Sequence, residues 1–127
     1  MLLVDAANVV GSRPTGWWRD RPGAARTFVD RVRSATASGR LEAPVVVVLE
    51  GSARRGVEEG TADGVEVVHA PGEGDDALAD LAAAGVVDSG RQVILVSADR
   101  GLGQRVREVG GEVVGPGWLL DRLLSSP

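Results

Sequence analysis

The chain has no cysteine, no lysine and no tyrosine, and its 127 residues hold one histidine and one phenylalanine. Without cysteine there can be no disulfide, no thiolate metal ligand and no cysteine nucleophile. Without lysine there is no Schiff-base amine, no phosphate-loop cation and no receiver-domain switch residue. All 14 basic residues are therefore arginines, in keeping with a composition dominated by alanine, glycine, valine and arginine. No apolar run approaches the roughly 18 residues that span a bilayer. Met1-Leu2-Leu3-Val4 carries no basic leader and reads directly into Asp5, so a strand is expected there in place of a signal peptide. A cytoplasmic protein that makes no membrane contact is expected. The net charge of −4 argues against a uniformly basic nucleic-acid binder. It leaves room for an acidic centre flanked by a local arginine patch.

What is present is an alternation of strand and helix signals over a length suited to a single domain, residues 1–127. Residues 1–5 read as a strand and 22–38 as a helix opened by Pro22, with Phe28, Val29 and Val32 on its apolar face. Val45-Val46-Val47-Val48-Leu49 is the β-branched run of a central parallel strand. Residues 52–61 read as a short helix or loop, 65–68 as a third strand, and a helix capped by Asp75 or Asp76 runs to about residue 87. Strand four covers 92–96, a helix 101–109, strand five 112–114, and a last helix carries Trp118, Leu119, Leu120, Leu123 and Leu124. Five strands alternating with helices predict a parallel sheet covered on both faces, a three-layer α/β/α sandwich.

Acids stand where the strands end. Asp5 closes strand one, with Asn8 three residues on; Asp99 follows strand four, with Ser97 two residues before it; Glu50 follows strand two; Asp75 and Asp76 open the third helix. In parallel α/β sheets the carboxyl ends of the strands share one edge, where ligands bind. Carboxylates gathered there repel one another unless a cation sits among them, which points to a divalent-metal site. Each acid also has an ordinary structural role open to it: Asp75 or Asp76 as an N-cap, Asp99 as the organiser of a turn, Glu50 as a solvated side chain.

Three segments, Leu3-Val4-Asp5-Ala6-Ala7-Asn8, Gly74-Asp75-Asp76-Ala77-Leu78 and Val96-Ser97-Ala98-Asp99, resemble the signature segments of the PIN-like nuclease superfamily. The NYN domain, including its small bacterial YacP-like branch, is the nearest match. The resemblance implies a five-stranded parallel sheet ordered 3-2-1-4-5, one or two Mg²⁺ or Mn²⁺ ions, and hydrolysis of RNA phosphodiester bonds. It implies Asp5, Asp75 and Asp99 as metal ligands and catalytic residues. Asp76 is accessory to them, and Asn8 and Ser97 are companions, with Glu50 as a further supporting acid. Two positions depart from the pattern. Arg100-Gly101 follows Asp99 where many relatives carry another acid, and Glu50 stands where relatives often have aspartate before glycine.

The stretch from Gly11 to Arg21 contains Arg13, Trp17, Trp18 and Arg19. With Arg100 these suit the binding of single-stranded or structured RNA through stacking and phosphate contacts; the tryptophans could equally cap the core. His69 ends the third strand, expected at the sheet edge and outside the metal centre. Three other α/β readings fail on residues. A receiver domain needs a lysine, a haloacid-dehalogenase phosphatase needs Asp-x-Asp after strand one, and a dinucleotide fold needs Gly-x-Gly-x-x-Gly there. The alternative from another class is a non-catalytic RNA- or protein-binding module that keeps the fold. A ribosome or a second copy of the chain remains open as a partner.

Overall fold

Five consecutive apolar residues, Val45–Leu49, form strand β2, and every one of them is buried. Such a strand needs neighbours on both edges and cover on both faces. In the computed structural model, which describes residues 1–89 and 92–124, β2 has both. It pairs in parallel with β1 (Leu2–Asp5) on one side and with β4 (Val65–His69) on the other. Beyond β1 come β5 (Ile94–Val96) and β6 (Glu112–Val114), both parallel.

Alternate side chains of the central strands enter two separate apolar clusters, as the two-residue period of a strand requires. Leu2, Val4, Val45, Val47 and Val96 pack with Phe28, Val29 and Val32 of α2 (Arg21–Ala37) and with Leu119 of α5 (Pro116–Leu124). Leu3, Val46, Val48 and Leu95 pack with Leu78 and Ala82 of α3 (Gly74–Ser89) and with Leu102 and Val106 of α4 (Arg100–Glu108). Helix α2 starts where the sequence signals it: the Asp20 carboxylate accepts the Gly23 N–H at 2.9 Å, with proline in the first turn. Among the described residues no helix is long and apolar enough to cross a membrane.

The structure departs from the sequence reading in three places. The sheet has six strands, ordered β3-β4-β2-β1-β5-β6, where five were expected. The extra strand β3 (Gly60–Ala62) is an antiparallel edge strand paired to β4, so the sheet is mixed; the five parallel strands keep the expected order inside it. The signal for β3 lay in Asp63-Gly64, both at positive φ (53° and 77°). These are the residues of a tight two-residue hairpin turn. A Cβ on Gly64 would also lie 2.9 Å from the Ala43 Cβ, so glycine serves both the backbone and the space. Second, a short helix α1 (Ala6–Gly11) follows β1 at once, in a stretch left without assignment by periodicity because it is too brief to show any. Third, α3 begins at Gly74, so Asp75 and Asp76 lie in its first turn and neither is the residue before the helix.

Candidate active site

Strand β1 aligns Val4 with Val96, so one step further along the parallel register Asp5 faces Ser97. The Ser97 hydroxyl donates to Asp5 Oδ2 at 2.9 Å. The other carboxylate oxygen, Oδ1, accepts the Asn8 backbone N–H at 3.4 Å, which makes Asp5 the N-cap of α1. Asn8 in turn accepts the Ala98 N–H on its side-chain oxygen at 2.7 Å, tying α1 to the loop after β5. The Asp99 N–H donates to Ser97 Oγ at 3.1 Å, and Asp99 Oδ1 accepts the Leu102 N–H at 3.0 Å as the N-cap of α4. Four of the expected residues thus form one chain of hydrogen bonds that fixes the two central acids. Asp5 and Ser97 are the buried polar residues of the described chain, at 7% and 3% exposure.

Glu50 reaches the same edge from β2. Its Oε2 accepts the Gly74 N–H at 2.7 Å, so a carboxylate from a strand end satisfies the first donor of α3. Asp75 lies in the first turn of α3, where the charges of Asp99, Glu50 and Glu73 act on it. Burial raises the Asp5 carboxyl above its ordinary range, the Ser97 and Asn8 hydrogen bonds oppose this, and the charges of Asp75 and Glu50 raise it further. Asp75 is also raised, first by burial and then by Asp99, Glu50 and Glu73, with Arg105 opposing. Asp75 therefore lies within electrostatic reach of Asp5, Asp99 and Glu50, and Asp5 within reach of Glu50. Asp76 is turned aside: its Oδ1 lies 3.0 Å from the Arg105 guanidinium, and its side chain is 84% exposed.

As the side chains stand, no group of three or more His, Cys, Asp or Glu among the described residues is assembled for a metal ion. The donor set is nonetheless of one chemical kind. It consists of carboxylate oxygens from separate segments, with Asp5 and Asp75 raised first by burial and then by nearby carboxylates, and such oxygens suit a hard divalent cation. The residues fit Mg²⁺ or Mn²⁺ by type, and closing on an ion would require the side chains to draw in.

The candidate RNA-contacting residues separate into two groups. Trp17 is half-buried and stands edge-on to Trp18, with ring centroids 6.3 Å apart at 88°. The Arg21 guanidinium lies 5.2 Å from the Trp17 ring centre and that of Arg19 5.9 Å from Trp18. Trp18 is 53% exposed. Arg13 and Arg100 are exposed, the first after α1 and the second opening α4. Arg54 is committed to the carbonyls of Gly51 and Ala70. Trp118 packs against the α2-side cluster with Arg122 stacked 3.7 Å from its ring centre. His69 Nε2 bonds the Val57 carbonyl at 2.7 Å, on a strand that β3 shields from the edge.

Glu73 and Arg105 were not anticipated. Glu73 sits one residue before α3 and acts on Asp75 by charge, a role signalled only by the density of acids in Glu73-Gly74-Asp75-Asp76. Arg105 reaches Asp76 from α4, a contact that no local pattern announces.

No family profile matches the chain, and no curated protein matches it. Among solved structures it is similar to Rae1 (YacP) from Bacillus subtilis, at 20% identity and a TM-score of 0.71 over 97% of this chain and 72% of that one. A point mutant of the same Bacillus protein aligns at 21% identity with a TM-score of 0.68, covering 96% of this chain and 73% of its own. At this identity the likeness shows the fold alone: the chain has a mixed α/β architecture similar to that of Rae1 (YacP).

Proposed function

We propose that this protein is a metal-dependent ribonuclease of the PIN-like, NYN type that hydrolyses RNA phosphodiester bonds in the cytoplasm. The observation that supports the reading is the charge coupling of Asp75 to Asp5, Asp99 and Glu50, with Asp5 buried and bonded by Ser97. A protein gains no stability from burying a carboxylate among others of like charge, so function is the natural account.

In this reading Asp5, Asp75 and Asp99 would hold Mg²⁺ or Mn²⁺, and the chemistry such an ion would supply there is a lowered pKa for a water and charge balance at the phosphate. The chain's own residues do the rest. The Ser97 hydroxyl and the Asn8 N–H fix the Asp5 rotamer, and the Leu102 N–H fixes Asp99, so both carboxylates meet the substrate already oriented. Asp76, paired to Arg105, is an accessory acid on the rim. Trp18 and Arg19 offer an exposed ring and cation to unpaired RNA, with Arg13 and Arg100 contributing phosphate contacts.

The test is cleavage of single-stranded and structured RNA with Mn²⁺, with Mg²⁺ and with EDTA, beside Asp5→Asn and Asp99→Asn. Loss of an acid that holds the cation should lower the rate by at least about 100-fold, more than loss of an outer partner. Cutting that survives EDTA or both substitutions would sink the mechanism. Tight RNA binding without cutting under any metal would favour a binding module.

A further inference from the structure

Beside the acids lies a cavity of ≈ 470 Å³ for which the cleavage chemistry has no use. Ala6, the residue after Asp5, and Glu50 both line it, so it is continuous with the carboxylates. Its size falls within the roughly 300–1,000 Å³ of small-ligand sites. Ala24 from α2 and Ala53 from the turn after β2 also line it, where larger aliphatic side chains would close the space. One wall is Trp17, whose ring is held in place from three directions. Gly11 backs it so closely that a Cβ there would lie 3.3 Å from the indole. Trp18 meets it edge-on, and the Arg21 guanidinium, also in the cavity lining, lies 5.2 Å from its centre. Glu50, whose Oε2 accepts the Gly74 N–H at 2.7 Å, and Glu73 are also among the lining residues.

An immobilised indole, a guanidinium and otherwise apolar walls suit a flat heteroaromatic ring, and bordering carboxylates suit a ring edge that carries N–H donors. We propose that this cavity receives one unpaired nucleobase of the RNA beside the phosphate held at the acids, with guanine the best fit. Guanine presents N1–H and N2–H₂ side by side to a carboxylate, whereas uracil offers a single N3–H flanked by two carbonyl oxygens that repel the same lone pairs. The proposal rests on the nuclease reading for the identity of the polymer, but its binding step requires no metal.

The full chain, free of divalent cations, is titrated with guanosine, adenosine, cytidine and uridine while NMR follows the Trp17 indole N–H and the Ala24 and Ala53 amides. Saturable shifts at all three are expected, tightest with guanosine. Binding should weaken by at least about 10-fold when the space is filled by Ala24→Leu or, separately, Ala53→Leu, each checked for folding by circular dichroism. In a second arm, RNA carrying one abasic nucleotide, moved stepwise along the strand, should be cut at least about 5-fold more slowly when the gap adjoins the scissile bond. Cavity shifts in a protein that cuts no RNA would overturn the nuclease reading and leave the base site standing. RNA cleavage with no cavity shifts and no abasic effect would overturn the base site and leave the nuclease. Equal affinity for uridine and guanosine would overturn recognition by the two glutamates.

Discussion

The two ends of strands β1 and β5 share one register and are closed in opposite ways. At the amino end the main chain does the closing. The Met1 ammonium donates to the Gln92 carbonyl at 2.8 Å, the Leu2 N–H to Pro44 at 3.0 Å and the Ile94 N–H to Met1 at 2.9 Å. At the carboxyl end side chains take over, through Ser97 to Asp5, Asn8 to Ala98 and Ser97 to Asp99. Almost any sequence could make the first set of bonds; the second requires these residues. The carboxyl end also carries an acid whose pKa is raised first by burial and then by the charges of Asp75 and Glu50. Burial of an acid at the carboxyl end, beyond what closing the strands requires, marks that end as the candidate site.

The sharpest way to break that contrast is to compare Leu95→Ala with Ser97→Ala, two residues apart on the same chain. Leu95 is fully buried mid-strand, and its truncation should cost about 2–5 kcal/mol in denaturant unfolding while leaving the cutting rate per folded molecule unchanged. Ser97→Ala strips a partner from both Asp5 and the Asp99 N–H. It should cost about 1–3 kcal/mol in the same unfolding measurement and also lower cleavage by about 10- to 100-fold. If Ser97→Ala lost stability alone, the two ends would be equivalent.

A gentler test is the dependence of stability on pH. Asp5 and Asp75 both titrate above the usual carboxylate value of 3.8 in the folded chain. Between 3.8 and their raised values the native state binds more protons than the unfolded chain, so these two groups lower stability as pH rises through that window. Thermal melts from about pH 4 to about pH 8 in EDTA should therefore fall less steeply for Asp75→Asn than for the parent. Mn²⁺ should raise the parent's Tm by several degrees at neutral pH, and much less in acid where the carboxyls are protonated.

The smallest effect is expected at Arg105→Ala. The Asp76 pair it breaks is exposed at both partners, so its loss should change stability by less than about 1 kcal/mol in urea melts. Since Arg105 also draws the Asp75 pKa down, the acid limb of the pH–rate profile should move upward in pH. An unmoved limb would separate α4 from the site.

The placement of much of the candidate site was legible because its parts are local. Asp5, Ser97 and Asp99 each terminate or follow an apolar strand, and the two-residue period of a strand places Ser97 on a definite side. The edge strand β3 escaped because three exposed residues, Gly60–Ala62, show no hydrophobic alternation; its one mark was Asp63-Gly64. Helix α1 escaped for a similar reason, being under two turns long. The division between half-buried Trp17 and exposed Trp18 could not be read from adjacent letters, since it depends on which ring meets Gly11 and Arg21.

By itself the sequence determined which strands are buried on both faces, where each one ends in an acid, and which chemistries its missing cysteine and lysine forbid. These are properties of neighbouring residues, carried by side-chain period and composition. Only the tertiary structure decided that Glu50 caps α3 in place of Asp75 or Asp76, that Asp76 pairs with Arg105, and that the charges of Asp99 and Glu50 act on Asp75. Those outcomes join residues 24 apart in one case and on separate helices in another, and such distances are set by how the elements pack.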